Sequence, residues 1–186
     1  DIDITPNRGD CLSHIGIARE LSIIEKEKII NYENQVFKTN TTKDKLTINI
    51  DHDKCKRYAA CIIKNVTIKD SPEWLKKNLD SIGQKSINNV VDAANFILMD
   101  LGHPMHTFDF DKIKSNKINV RVAKKNETIN TLDDNEKKLN SKNLLICDGD
   151  KPIAIAGIIG SNNSSVDETT KNVLIESAYF EPLNIR

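Results

Sequence analysis

Three features of this chain have the residue types and spacing to do chemistry. The first is Gly102-His103-Pro104-Met105-His106, two imidazoles on either side of a proline. An imidazole held still beside a bound water can orient it or take its proton, and proline stiffens the segment that holds the ring. The pair is not read as a metal site. A zinc hydrolase pair needs i, i+4 spacing on one helix with an adjacent acid. The second feature is Ala156-Gly157-Ile158-Ile159-Gly160-Ser161 after an apolar run. Two glycines there let backbone N–H groups come close to a bound group. Neither G-x-x-x-x-G-K-[ST] nor G-x-G-x-x-G is present, so it is not a phosphate loop. The third is Glu176, the one charge in Val173-Leu174-Ile175-Glu176-Ser177-Ala178. Period two puts Leu174 and Glu176 on one face, and a face carrying leucine turns inward and takes the carboxylate with it. An inward acid needs partners, and the glycine-loop amides of a neighbouring strand are the natural ones, so Glu176 is expected to line a pocket with Gly157.

A helix must deliver the histidines. Val90, Ala94, Ile97, Leu98 and Leu101 follow the i, i+4, i+7, i+8, i+11 spacing of one apolar face. Asn88 or Asn89 can cap its start, Gly102 can end it in the left-handed conformation, and Pro104 cannot continue it. His103 to His106 then form a short rigid loop. Earlier, a polar turn leads into an amphipathic helix capped by Asp10 or Ser13, with Leu12, Ile15, Ile17, Ala18, Leu21 and Ile24 as its apolar face. Residues 31–45 are polar and read as a connector. Strands are expected at 46–50, with one face covered, and at 58–68, fully apolar over 59–63 and therefore central. Ser71-Pro72-Glu73 opens a helix with Ser71 as cap and proline at its first position, and Gly83 closes it.

Past residue 109 the pattern changes to short strands, at 118–122, 127–132, 138–139, 144–147, 153–156 and 173–176, with turns at 133–135 and 148–150. Helix and strand do not alternate as a doubly wound sheet requires. The expected class is α+β, with a helix-containing N-terminal part packed on a β-rich, sandwich-like body. The division is read as 1–42, helix and connector, and 43–186, the module proper.

Composition narrows the function classes. Lys plus Arg and Asp plus Glu both number 27, so no global field draws the chain to nucleic acid. Its basic clusters, such as Lys54, Lys56 and Arg57, read as solvated surface. No apolar run approaches the length of a membrane span. Cys11, Cys55, Cys61 and Cys147 show no C-x-x-C pairing and read as scattered reduced thiols. A soluble cytosolic protein with no membrane partner is the expectation.

The wording of four segments is more particular than these rules require. N-N-V-V-D-x-x-N followed by G-x-P-x-H-x-F-D, then I-T-P-N-R-x-D-C-L-S-x-x-G-I-A-R-E-L, P-x-A-x-A-G-x-x-G and V-x-x-E-S-A-x-F together resemble the editing module of the bacterial phenylalanyl-tRNA synthetase beta subunit. The resemblance covers nearly all of the chain. It implies hydrolysis of tyrosine wrongly attached to phenylalanine tRNA, within a cytoplasmic ligase that pairs this subunit with an alpha subunit. It implies no cofactor here, because ATP and magnesium belong to the synthetic site of the whole enzyme. Residue by residue, it makes His106 the catalytic histidine near the ester and Asn95 the asparagine of the pocket wall. Ala156, Gly157 and Gly160 become the glycine loop, and Glu176 the acid that receives the tyrosine hydroxyl. Two departures stand out. Ala94 occupies a position where the family often has threonine, and the T-S-x-A-S-x-R-F-E-R-G segment does not occur before Arg186. The start on D-I-D-I-T-P, without an initiator methionine, reads as the start of a fragment. The competing expectation is a non-catalytic tRNA- or subunit-binding module with the same fold and an incomplete pocket.

Overall fold

The computed structural model describes residues 2–30 and 45–186. The expected connector therefore falls almost wholly outside the described residues. The chain first forms α1 (His14–Glu25), with Ser13 capping its start by accepting the Gly16 N–H at 3.1 Å. Strands β1 (Thr47–Ile50) and β2 (Cys55–Ile63) follow, then helices α2 (Glu73–Ser81) and α3 (Asn89–Leu101). After α3 come β3 (Met105–Asp109), β4 (Lys117–Val122), β5 (Thr128–Asn130), β6 (Glu136–Lys138), β7 (Leu144–Asp148), β8 (Lys151–Ile155), β9 (Ile159–Gly160) and β10 (Val173–Phe180). The short α4 (Pro182–Ile185) follows.

The strands form a five-stranded sheet in the order β1-β4-β7-β8-β9, a three-stranded sheet in the order β2-β10-β3, and the β5-β6 hairpin. Both larger sheets are antiparallel throughout except for the parallel β1–β4 pair. One core joins the two: Tyr58, Phe108 and Leu174 from the smaller sheet pack with Ile118, Val120 and Ile146 from the larger. Alternation along β7 sends Leu144 and Ile146 into this core, while Leu145 and Cys147 enter a second cluster with Ile129 and Leu139 on the opposite face. A strand covered on both faces has no polar positions to spare, which is why 144–147 reads as an unbroken apolar run. The class is α+β, as expected.

Helix α3 is built as its sequence dictates. Asn88 Oδ1 accepts from the N–H groups of Val90 and Val91, and Gly102, at φ 75°, closes the helix by donating its N–H to Leu98. Several other expectations change. Ser71 does not cap α2. Pro72 holds that position, and Ser71 is buried, donating its hydroxyl to Asp92. β2 ends at Ile63 and is an edge strand, because β10 pairs with both β2 and β3 and takes the centre of their sheet. On β1 the two isoleucines, Ile48 and Ile50, are exposed and Asn49 turns inward to donate to Asn119 across the parallel pair. Helix α1 leaves Leu12 beside it and its own Leu21 and Ile24 exposed, so half of its expected apolar face is not covered by the described residues. The histidine segment is not a loop through to His106: only Gly102, His103 and Pro104 connect α3 to β3, and His106 is a strand residue.

Candidate functional site

Antiparallel register brings His106 and Glu176 together. The two residues face each other directly on β3 and β10, and Phe108 faces Leu174 two positions along. Side chains of directly opposed residues project from the same face, so the buried Phe108–Leu174 pair fixes the inward direction for both candidate residues. Glu176 is 5% exposed. Its Oε2 accepts the Tyr58 hydroxyl at 2.9 Å, and among the described residues no other group donates to the carboxylate; the glycine-loop amides expected as its partners belong to the other sheet, since β10 pairs only with β2 and β3. Tyr58 lies on β2 opposite Ala178, so it reaches Glu176 on the diagonal.

The imidazole of His106 is half-buried, edge-on to Phe108 with ring centroids 4.5 Å apart. A glycine makes room for it. A Cβ on Gly160 would come within 2.6 Å of His106 Nε2 and Cε1, so only glycine at that position leaves the ring where it is. Gly157 is needed for a different reason. Its φ of +68° makes the turn between β8 and β9, and a side chain there would also press on Phe180 and Ile185. Among the described residues the Gly157 N–H has no hydrogen-bond acceptor.

These groups open on one cavity of about 940 Å³. His106, Gly157, Gly160 and Glu176 line it, with Ile146, Ala154 and Phe180 among its apolar walls and Arg186 at the C-terminal side. The size suits an organic ligand, and the lining has the expected mixture of apolar walls and a few convergent polar groups. His103 lies at the exposed side, its Nε2 2.7 Å from Ser177 Oγ, so the two imidazoles do not converge. Two sequence-selected residues are placed elsewhere. Asn95 is half-buried on α3 and is not among the cavity-lining residues. Ala156 is buried in the core, its N–H bonded to the Leu144 carbonyl. Tyr58 was not singled out by the sequence. Its one signal is a tyrosine on the inward period of β2, and that means little until β2 is known to pair with a strand 118 residues away.

Burial sets the charge states. It raises the Glu176 carboxyl from 4.5 to about 7, an effect the Tyr58 hydrogen bond partly offsets. Burial alone pushes His106 down to about 4. Tyr58 is held well above the usual phenol range by burial and by the neighbouring carboxylate, so it remains a donor. Near neutral pH the site therefore holds a neutral imidazole and a carboxyl close to its own midpoint. A second acidic group, Asp10, Cys11 and Glu20, lies far away in the sequence and already has a cation: Arg8 reaches Asp10 at 2.8 Å, Glu20 at 2.7 Å and Cys11 at 3.1 Å.

The matching family model is the B3/4 domain, over residues 54–186, which include the whole His106, Gly160 and Glu176 arrangement. The chain belongs to the B3/4 domain family. Over its full length it is 47% identical to the phenylalanine–tRNA ligase beta subunit of Fusobacterium nucleatum and 44% identical to that of Protochlamydia amoebophila. It spans 23% and 24% of those relatives. An N-terminal fragment of the phenylalanyl-tRNA synthetase beta subunit from Pyrococcus horikoshii has the same fold, with a TM-score of 0.55 at 22% identity, covering 96% of this chain and 55% of that one. No described helix of this B3/4 chain is long and apolar enough to cross a membrane.

Proposed function

We propose that this domain is the editing module of a phenylalanyl-tRNA synthetase beta subunit and hydrolyses the ester of tyrosine mischarged on phenylalanine tRNA. The observation that carries the reading is a carboxylate on the wall of an apolar cavity with one oxygen unmatched by the protein. A pocket built for phenylalanine rejects an added hydroxyl by only about a hundredfold, so a second site must supply the rest. Tyrosine would complete the bonding of Glu176. Phenylalanine would leave a buried acceptor unpaired, at a cost of about 1–3 kcal/mol. Glu176 thus chooses the substrate and does not attack it.

His106, neutral at physiological pH, holds the attacking water beside the ester, while the Gly157 N–H is the candidate donor to the developing oxyanion. The aminoacyl ester enters from the open side, and the amino acid side chain runs inward to Glu176. In the whole enzyme the partners are the alpha subunit and phenylalanine tRNA, in the cytoplasm, and ATP and magnesium serve the synthetic site. Editing is tested by deacylation of tyrosyl-tRNA in the full synthetase. His106→Ala is expected to slow it about 10²-fold, the usual scale for loss of acid–base help, with phenylalanine charging unchanged. Unchanged deacylation would remove His106 from the mechanism.

A further inference from the structure

Tyr58 does not line the cavity, yet it holds the group that does. Its hydroxyl donates to Glu176 Oε2 at 2.9 Å, and both side chains are buried. A phenol has a single proton to give, and a carboxylate that receives it from one side has its second oxygen turned to the other. Glu176 lines the cavity and Tyr58 does not. We infer that Tyr58 is a positioning residue that orients the Glu176 carboxylate, keeps it an acceptor, and so sets the preference for a ligand carrying a phenolic hydroxyl. This inference rests on the reading of Glu176 as the acceptor of the substrate hydroxyl.

The surroundings leave this task to Tyr58. From β2 the titratable groups toward Glu176 are Tyr58 and the Cys55 thiol, which burial pushes up and the glutamate pushes up further. Directly opposite on β3 is His106, neutral near pH 7. The five-stranded sheet offers Ile146 and Ala154, which carry no charge, and the C-terminal segment offers Arg186 at the cavity. His103, on the exposed side, is bonded to Ser177. Among these groups only Tyr58 hydrogen-bonds the carboxylate. Its bond favours the ionised acid against a burial effect that favours the neutral one. Without it the carboxyl takes up a proton at a higher pH, and a protonated acid is a poorer acceptor that can also donate.

The test is the pH profile of the tyrosyl-to-phenylalanyl deacylation ratio in the full synthetase, corrected for spontaneous ester hydrolysis. In the unaltered enzyme the ratio should fall as pH drops through about 7. In Tyr58→Phe the midpoint should move up by about one to two pH units, the shift equivalent to one hydrogen bond to a charged group. The ratio at pH 7 should drop about fivefold or more and recover at higher pH. Incorporating 3-fluorotyrosine at position 58 gives a stronger donor and should move the midpoint down, which keeps the inference testable if Tyr58→Phe does not fold. A profile unmoved in either variant, or a ratio lowered equally at every pH, would overturn the role of Tyr58 while leaving editing intact. No tyrosyl preference at any pH in the unaltered enzyme would overturn the editing reading, and this inference with it.

Discussion

Asp92 and Glu176 are both buried carboxylates, and the molecule treats them in opposite ways. Asp92, on the first turn of α3, is fully enclosed and receives the hydroxyls of Ser71 and Ser86 at 2.5 Å and the Ile87 N–H at 2.8 Å. Burial opposes its ionisation, but those hydrogen bonds together outweigh burial and hold the carboxyl below its ordinary value. Glu176 receives one hydroxyl, faces a cavity, and is pushed up to about 7. A saturated acid ties α2 to α3 and has nothing left to offer a ligand. An acid left one bond short beside open space has an acceptor to offer a ligand.

The contrast can be broken at its structural end first. Asp92→Ala removes the acceptor of three donors at once, the buried Ser71 hydroxyl among them, and is expected to destabilise the chain by about 2–3 kcal/mol in denaturant unfolding. A loss below about 1 kcal/mol would mean that Asp92 and Glu176 are not different kinds of acid. Next comes the space left for His106. Gly160→Ala should slow deacylation of tyrosyl-tRNA about tenfold, since even a small displacement of a reacting group is costly and the new methyl group would meet the imidazole. Charging with phenylalanine should not change, and an unaltered editing rate would show that the ring moves without consequence.

The smallest effect concerns stability and has a definite sign. The Glu176 carboxyl is raised in the folded state, so its stabilising contribution is complete below about 4.5 and is lost as pH rises through about 7. Glu176→Gln keeps an acceptor for Tyr58 and removes the charge. It should therefore melt higher than the unaltered chain at pH 8, by about 1 kcal/mol of stability, with the gain vanishing near pH 4. His106 runs the other way. Its folded value is depressed, so its contribution is present above about 6.5 and lost as pH falls toward about 4. A destabilised Glu176→Gln at pH 8 would place Glu176 with Asp92.

Where local rules act alone, the sequence was readable. The Asn88 cap, the left-handed Gly102 and the shared face of Leu174 and Glu176 all depend on neighbours within a few residues, and all three are found as expected. Expectations failed where a distant partner decides. β2 looked central because it is apolar, yet β10 took that place. Ser71 had the sequence of a cap, but a buried carboxylate 21 residues away claimed its hydroxyl. Leu21 and Ile24 of α1 follow helical spacing without a described surface to meet them. The same limit hid Tyr58, whose importance exists only through long-range pairing. The four motif phrases led to the family, but they could not tell that the side chains of Asn95 and Ala156 are not among those lining the cavity.

The claim that Glu176 reads the substrate and leaves the chemistry to others is tested most directly by Glu176→Ala in the full synthetase, comparing kcat/KM for deacylation of tyrosyl- and phenylalanyl-tRNA. The preference for the tyrosyl ester should fall about tenfold or more, the equivalent of roughly 1–3 kcal/mol, while hydrolysis of the phenylalanyl ester persists. Equal losses on both esters would contradict the account and assign Glu176 to the reaction or to the fold.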